Sequence, residues 1–162
     1  TTALTTQFPT IQAGIQMNST TNYKFRGTAT SADYADLAER YAADAEYEAG
    51  TVVRLGGTHE ITQTLQESDI DVFGIVSDSP GFEMNAGAGT DATHPFVALA
   101  GRVPCKVIGK VVKGDRIISS STPGTAIAHK GDSPDYRPII GRALQSKDTE
   151  EAGTVEVVVG AK

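Results

Sequence analysis

The chain has 162 residues, with fourteen lysines and arginines against twenty aspartates and glutamates, which gives a net charge of −6. This length fits one domain of ordinary size, or a small domain with an arm. The acidic balance argues against a nucleic-acid partner, because phosphate-binding surfaces take much of their affinity from lysine and arginine. No run approaches the roughly eighteen apolar residues of a membrane span, so we expect no membrane insertion.

Residues 1–30 differ in composition from the rest of the chain. They contain nine threonines, two basic residues and no acid, with scattered apolar side chains that include Ile11, Ile15 and Met17. This segment has too little apolar surface to fold alone, and it lacks the charge that keeps many chains disordered. We therefore predict an extended, β-prone arm over residues 1–30 that needs a partner such as another copy of itself, followed by a head domain over residues 31–162.

Residues 31–41 are rich in alanine and in acidic side chains, and they predict one short helical segment. Ser31 would cap this helix, and the acids would lie in its first turn, where the helix dipole favours them. Tyr34, Leu37 and Tyr41 fall at helical spacing. Because isolated helices of fewer than about twelve residues are marginal, an extended stretch with turns remains the alternative.

From Gly50 onward the sequence predicts short strands separated by glycine, proline and aspartate turns at intervals of about ten residues, a pattern typical of sandwiches and barrels. We expect a mainly β domain, a compact sandwich-like or barrel-like structure of short antiparallel strands. Its central strand should run over Val97–Ile108, with Leu99 and Val103 among the most buried residues. The predicted strands are Thr51–Leu55, His59–Leu65, Asp71–Val76, Phe96–Ala100, Arg102–Ile108, Lys110–Val112, Arg116–Ser119, Thr125–Ala128, Pro138–Leu144 and Thr154–Val159.

Two further features of the sequence bear on function. Residues 82–94 have the composition of a loop, and their length indicates a surface or interaction role. The single cysteine, Cys105, lies in an apolar strand and is expected to be a small buried hydrophobe. The sequence contains no phosphate loop, no metal-binding cysteine or histidine spacing and no nucleophile motif. We therefore expect no cofactor and no metal.

The acidic residues Asp33, Asp36 and Glu39 are the one arrangement that could support catalysis. On a helix, Asp33 and Asp36 would be neighbours, and Glu39 would lie near Asp36. Two adjacent carboxyl groups can have their pKa values pushed apart, which yields an acid and a base. The alternative, which we favour on physical grounds alone, is a solvated acidic face at the start of a helix.

Three stretches of the chain together carry a resemblance to a known family. They are Ala32 to Asp36, Gly74 to Ser77 and Val97 to Val107. They match, in this order, an "ADYAE" element, a "GVVS" strand and a "VALxGRVPVKV" strand. This set resembles the C-terminal domain of trimeric phage tail fibres, spikes and neck appendages. It is also similar to the related intramolecular chaperone domains, some of which cut themselves off by autoproteolysis. The likeness covers roughly residues 27–145.

The resemblance implies a structural virion protein, a homotrimer at the tip of a fibre that promotes and locks trimer assembly. The arm would then be the end of an intertwined shaft. The implied trimer contacts are Ile11, Ile15, Met17, Tyr34 and Leu37. A receptor-binding module is a further hypothesis, in which the loop over residues 82–94 and other strand connections would touch a host cell-surface receptor. A subunit of a cell-surface filament is an alternative, because threonine-rich β arms also suit strand exchange.

One departure from the family pattern concerns self-cleavage. The resemblance implies a cut just before Asp33, and self-cleaving relatives carry glutamate where this chain has Asp36. The shorter carboxylate reaches about 1.5 Å less far, and a misplacement of this size can cost about a hundredfold in rate. We therefore expect the bond before Asp33 to survive and no residue to be catalytic. Single-turnover autoproteolysis by Asp36 and Asp33 is the alternative.

Overall fold

The computed structural model describes residues 36–131 and 135–161 of the chain. These residues form a compact all-β domain in which every regular element is a strand. None of them belongs to a helix that could cross a membrane. The strands are β1 (Asp36–Arg40), β2 (Val52–Leu55), β3 (Ile61–Gln63), β4 (Val72–Ser77), β5 (Phe82–Met84), β6 (Phe96–Val107), β7 (Arg116–Ser119), β8 (Ala126–Ala128), β9 (Ile139–Ala143) and β10 (Gly153–Val159).

Five strands close into a small barrel. Around the barrel, β6 pairs with β10, β10 with β9, β9 with β7, and β7 with β8, each in antiparallel fashion. A parallel contact between Val107 of β6 and Ala126 of β8 completes the ring. The barrel interior is filled by small and β-branched side chains such as Val103, Val157 and Ile117, all fully buried. A barrel of five strands leaves room for little else.

The twelve-residue strand β6 belongs to two parts of the structure at once. Its second half lies in the barrel, and its first half pairs with β1 on one side and β4 on the other. From β4 the sheet continues through β2 to β3. Gly101 lies where β6 passes from the sheet into the barrel, and it is opposite both Asp36 of β1 and Val159 of β10. Its φ of 104° lies in a region that favours glycine.

A second apolar cluster lies outside the barrel, on the sheet around β2, β4 and β6. Its buried members include Val53, Val76 and Val97, and Tyr41 and Phe73 pack against them. The two aromatic rings meet edge to face, with their centroids 4.9 Å apart. This geometry places the positive edge of one ring against the negative face of the other.

The prediction of a short helical segment over residues 31–41 is wrong for residues 36–41, which the structure describes. Asp36–Arg40 form β1, with β6 on one side and β5 on the other. Hydrogen bonds to two neighbouring strands outweigh the weak helical preference of so short a segment. Residues 31–35 and the arm over residues 1–30 lie outside the described residues.

The predicted strands are confirmed in their main outline, with three differences. Residues 82–94 are not loop throughout, since Phe82–Met84 form β5 beside β1. The β1–β5 and β6–β8 pairs are parallel, whereas we expected antiparallel pairing alone. Lys110–Val112 form no strand, and only Val111 makes an isolated bridge, with Lys147.

The central strand is confirmed as β6, but only one of its two predicted core residues is fully buried. Val103 is 0% exposed, whereas Leu99 is half-buried. Leu99 is the extra residue of a bulge, because Leu37 pairs with Ala100 and the next residue of β1, Ala38, pairs with Ala98. A bulge leaves its extra residue without a partner and interrupts the inward and outward alternation of side chains.

Candidate functional site

A cavity of about 310 Å³ opens beside the first half of β6. The register of the strands creates its floor, because Arg40 of β1 and Ser77 of β4 are both direct partners of Phe96 in β6. These three residues therefore stand in a row across three paired strands. The polar lining consists of Arg40, Tyr47, Ser77, Asp78, Glu83 and Asp91. The apolar lining consists of Ala49, Val76, Pro80, Pro95 and Phe96.

Arg40 is held at the floor of the cavity by several contacts. Its guanidinium carbon lies 3.9 Å from the centroid of the Phe96 ring. One terminal nitrogen donates to the backbone carbonyl of His94 at 2.5 Å, and the other lies 2.8 Å from a carboxylate oxygen of Asp91. The Nε of Arg40 is buried and has no hydrogen-bond acceptor. The Nε–H of Arg40 is therefore an unpaired donor with almost no accessible surface, in a side chain that is only 12% exposed.

The carboxylates around the cavity outnumber its one cation. Asp91 is paired with Arg40, whereas Asp78 and Glu83 are exposed and form no ion pair with any described residue. Carboxylates of this kind are acceptors only. The cavity therefore carries a negative field and offers hydrogen-bond acceptors at its rim.

Tyr47 forms a fixed part of the cavity wall. Its hydroxyl donates to a carboxylate oxygen of Asp44 and accepts from the backbone N–H of Gln63 at 3.1 Å. Burial, and then the hydrogen bond to Asp44, raise the pKa of Tyr47 above its ordinary value. The hydroxyl is thus a neutral, already partnered group, and the ring is the part of Tyr47 that a ligand would meet.

Asp36, the carboxylate that the self-cleavage alternative would use, lies at the start of β1 and is only 6% exposed. Burial raises the pKa of its carboxyl group, and the charge of Asp78 adds to the rise. Hydrogen bonds from Ser77 and Gly81 oppose it. The carboxylate oxygen Oδ2 has no hydrogen-bond partner. Because Ser77 and Asp78 also line the cavity, the Asp36 carboxyl group lies next to the cavity wall.

The structure separates Asp36 and Glu39, the two described members of the predicted acidic trio. Glu39 follows Asp36 by three positions in a strand, where side chains alternate between faces, so the two point in opposite directions. Glu39 instead accepts a hydrogen bond from the Tyr41 hydroxyl at 2.8 Å. Asp33 lies outside the described residues. Of the predicted trimer contacts, Leu37 lies half-buried in β1, and Ile11, Ile15, Met17 and Tyr34 lie outside the described residues.

Sequence reasoning missed Arg40 as a site residue. Arg40 is the only basic residue between Asp33 and Glu48, and this isolation in an acidic stretch was a usable signal. Its partner Phe96, however, is 56 positions away in the chain. Residues 82–94, for which the sequence predicts a surface or interaction role, contribute Glu83 of β5 and Asp91 to the lining of the cavity.

Two further kinds of reactive group were considered in the sequence, the single cysteine and metal-ligating side chains. Cys105 is fully buried as expected, and burial raises the pKa of its thiol to about 12. Among residues 36–131 and 135–161, no three histidine, cysteine, aspartate or glutamate side chains are placed to hold a metal ion.

The fold is similar to one known from a bacteriophage. The crystal structure of the C-terminal fragment of gene product 12 from bacteriophage phi29 matches with a TM-score of 0.53 and 16% sequence identity. The match covers 76% of this chain and 99% of that fragment. No protein-family model matches the chain, and no curated protein matches it significantly. At this level of identity the likeness establishes a shared fold.

Proposed function

We propose that this chain is the C-terminal domain of a structural virion protein, a phage tail fibre, spike or neck appendage. The observation that carries the proposal is the fold shared with almost the whole of the phi29 fragment. A shared fold alone does not fix a function. The motif strands of the sequence supply a second, separate line of support.

Two stretches that resemble the appendage family are neighbours in the sheet. Gly74 to Ser77 lie in β4, and Val97 to Val107 lie in β6. The two strands pair directly, with Ile75 opposite Ala98 and Val76 opposite Val97. Gly74 is packed closely in this pair, since an added Cβ would lie 2.7 Å from the carbonyl oxygen of Ala98. The stretches thus belong to one packed unit.

We further propose that the protein is a homotrimer whose arm over residues 1–30 lies along the three-fold axis. The arm has apolar residues, almost no charge and no means of burying them alone. Leu37 in β1 lies directly opposite Phe82 in β5, and Phe82 is 62% exposed. This apolar pair at the edge of the sheet suits a contact with a second copy.

The test is the mass of the full chain in solution, which should be three times that of one chain. Ile15→Asp would place three like charges side by side without partners, at a cost of several kcal/mol. We expect this variant to lose the trimer or to melt at a clearly lower temperature. Gln16→Asp adds the same charge one position along and is the matched control. A monomeric wild type, or an Ile15→Asp trimer of unchanged heat stability, would contradict the proposal.

A self-cleaving intramolecular chaperone is the second candidate function. The observation in its favour is the buried Asp36 carboxyl group, which has a raised pKa and an oxygen without a partner. Such perturbed groups concentrate at functional sites, although structural carboxylates share the property. We propose that the chain stays uncut, and intact mass separates the two candidates.

A further inference from the structure

We propose that the loop joining β9 to β10, residues 144–152, is a binding site for a primary ammonium group, which the chain fills with its own Lys147. The bound ammonium group fastens this loop to the segment that follows β6 and so holds the barrel closed at that point. The proposal does not depend on the proposed function, because it rests on contacts within the described domain alone.

The ammonium group of Lys147 donates three hydrogen bonds, and all three go to backbone carbonyl oxygens. The acceptors are Gly109 at 2.9 Å, Thr149 at 2.8 Å and Glu151 at 2.5 Å. An ammonium group has three N–H donors and no acceptor, so each of its donors has one partner here. Among the described residues, no backbone N–H donates to any of these three carbonyls. Lys147 therefore supplies the donor that all three share.

The path of the Lys147 side chain depends on a glycine. A Cβ atom added to Gly153 would lie 2.6 Å from Cε of Lys147 and 3.2 Å from its Cδ. Heavy atoms essentially never approach a Cβ closer than 3.0 Å, so a side chain at position 153 would push the lysine away from the three carbonyls. The first residue of β10 thus leaves the space that the lysine fills.

The surroundings of the site favour an ammonium group over a divalent metal ion. Asp148, Glu150 and Glu151 are exposed residues of the same loop, and their negative charges favour a cation nearby. Lys147 forms no ion pair with a described carboxylate, so its direct partners are neutral oxygens. Calcium takes about 6–8 oxygen ligands at about 2.3–2.6 Å, which three carbonyls cannot provide.

The site lies beside the contact that completes the barrel. Val107 of β6 is the partner both of Gly153 in β10 and of Ala126 in β8, and the contact with β8 consists of one residue pair. Just beyond it, Lys147 and Val111 exchange two backbone hydrogen bonds, at 2.8 and 2.9 Å. Withdrawal of the ammonium group would therefore loosen the structure at the point where the barrel closes.

Amide hydrogen exchange of the full chain tests this role in Lys147→Ala. The N–H groups of Ile108, Gly109 and Val111 are hydrogen-bonded to β8 or to the loop. We expect their exchange to become about tenfold to a hundredfold faster, since the hydrogen bonds of a charged group are lost and local opening becomes easier. The N–H of Val76, which lies in the sheet away from the barrel, should exchange as in the wild type.

Lys110→Ala is the matched control. Lys110 is an exposed lysine whose ion pair reaches Asp148 of the same loop, and such exposed pairs contribute little to stability. We expect this variant to exchange as the wild type does. Equal effects of Lys110→Ala and Lys147→Ala, or unchanged exchange in Lys147→Ala, would overturn the proposal.

Chemical rescue identifies the class of ligand. Lys147→Ala removes the three carbons and the nitrogen beyond Cβ, which are the heavy atoms of n-propylammonium. We expect n-propylammonium chloride to restore slow exchange at Gly109 and Val111, whereas sodium chloride and calcium chloride at the same ionic strength should not. Rescue no better than that by sodium chloride, or better rescue by calcium chloride, would overturn the assignment of an ammonium site.

Gly153→Ala provides a second test in which the lysine itself is unchanged. Its added Cβ should displace the lysine tail and speed up exchange at the same amides as Lys147→Ala. In the double variant Gly153→Ala should add little, because the atoms that it displaces are already gone. Wild-type exchange in Gly153→Ala, or effects of the two changes that simply add, would also overturn the proposal.

Discussion

Arg40 and Phe96 are direct partners across the β1–β6 pair, and the guanidinium carbon of Arg40 lies 3.9 Å from the ring centroid of Phe96. The contact joins the first described strand to the longest strand of the domain. It also forms the floor of the cavity, so it bears on both the stability of the domain and the shape of the cavity.

Arg40→Met should lower the free energy of unfolding by about 2–3 kcal/mol, because it removes a desolvated cation–π contact and a charged hydrogen bond to His94. Asp91→Asn is the matched control. The Asp91 side chain is 85% exposed, so loss of its ion pair should cost less than about 1 kcal/mol. Urea unfolding at constant protein concentration measures both. Equal losses for the two variants would show that the ion pair, and not the stacked ring, holds Arg40.

Ile117→Ala should destabilise the protein more than Leu99→Ala. Ile117 is fully buried inside the barrel, and deletion of such a side chain typically costs about 2–5 kcal/mol. Leu99 is half-buried at the bulge, so it has less apolar area to lose. Urea unfolding of both variants gives the comparison. A loss for Leu99→Ala as large as that for Ile117→Ala would mean that another surface covers Leu99.

The contrast between Val103 and Leu99 shows how far the sequence could predict the core. Alternation along β6 correctly predicted Val103 as buried, because period-two patterning is a local property. The bulge at Leu99 depends on how β1 pairs with β6, and β1 comes from a stretch with helical composition. Two residues that pair across 60 positions of the chain cannot be recognised as partners from a window of ten residues.

The cavity was predictable only in part, for a similar reason. Residues 82–94 stood out by their composition, and they supply Asp91 from the loop and Glu83 from β5. The row of Arg40, Phe96 and Ser77 follows from the register of three strands, which no local pattern encodes. A one-residue shift in that register would have turned Arg40 to the other face of the sheet.

Asp36 and Asp115 should make opposite contributions to the dependence of stability on pH. Burial raises the pKa of Asp36, so its contribution is fully present below the unfolded value of 3.8 and is lost as the pH rises through its folded pKa. Although burial also acts on Asp115, hydrogen bonds from Lys130 and the Val112 N–H lower its pKa. The contribution of Asp115 is therefore present above 3.8 and is lost as the pH falls through its folded pKa.

The measurement is urea unfolding of the wild type, Asp36→Asn and Asp115→Asn from acid to neutral pH. As the pH rises, the stability of Asp36→Asn relative to the wild type should increase, and that of Asp115→Asn should decrease. Shifts of the same sign in both variants would contradict the environment that the structure gives to one of the two carboxyl groups.

We expect the bond between Ala32 and Asp33 to remain intact because the Asp36 side chain is one methylene shorter than that of a glutamate. Its backbone is fixed on both sides, by pairing with Gly101 in β6 and by the Gly81 N–H, which donates to the Asp36 carbonyl at 3.0 Å. These two contacts hold the backbone that carries the Asp36 carboxyl group in place. A general base must lie within hydrogen-bonding distance of the proton that it removes, or reach it through one water.

Intact mass over several days at several pH values tests this for the wild type, Asp36→Glu and Asp36→Asn. We expect the wild type and Asp36→Asn to keep their full mass. If Asp36→Glu alone splits into residues 1–32 and 33–162, the missing methylene is what blocks cleavage. A wild type that splits at this bond would make the protein a self-cleaving chaperone. If no variant splits, the length of the side chain at position 36 does not decide whether the chain is cut. The buried Asp36 carboxyl group then has a structural role at the start of β1.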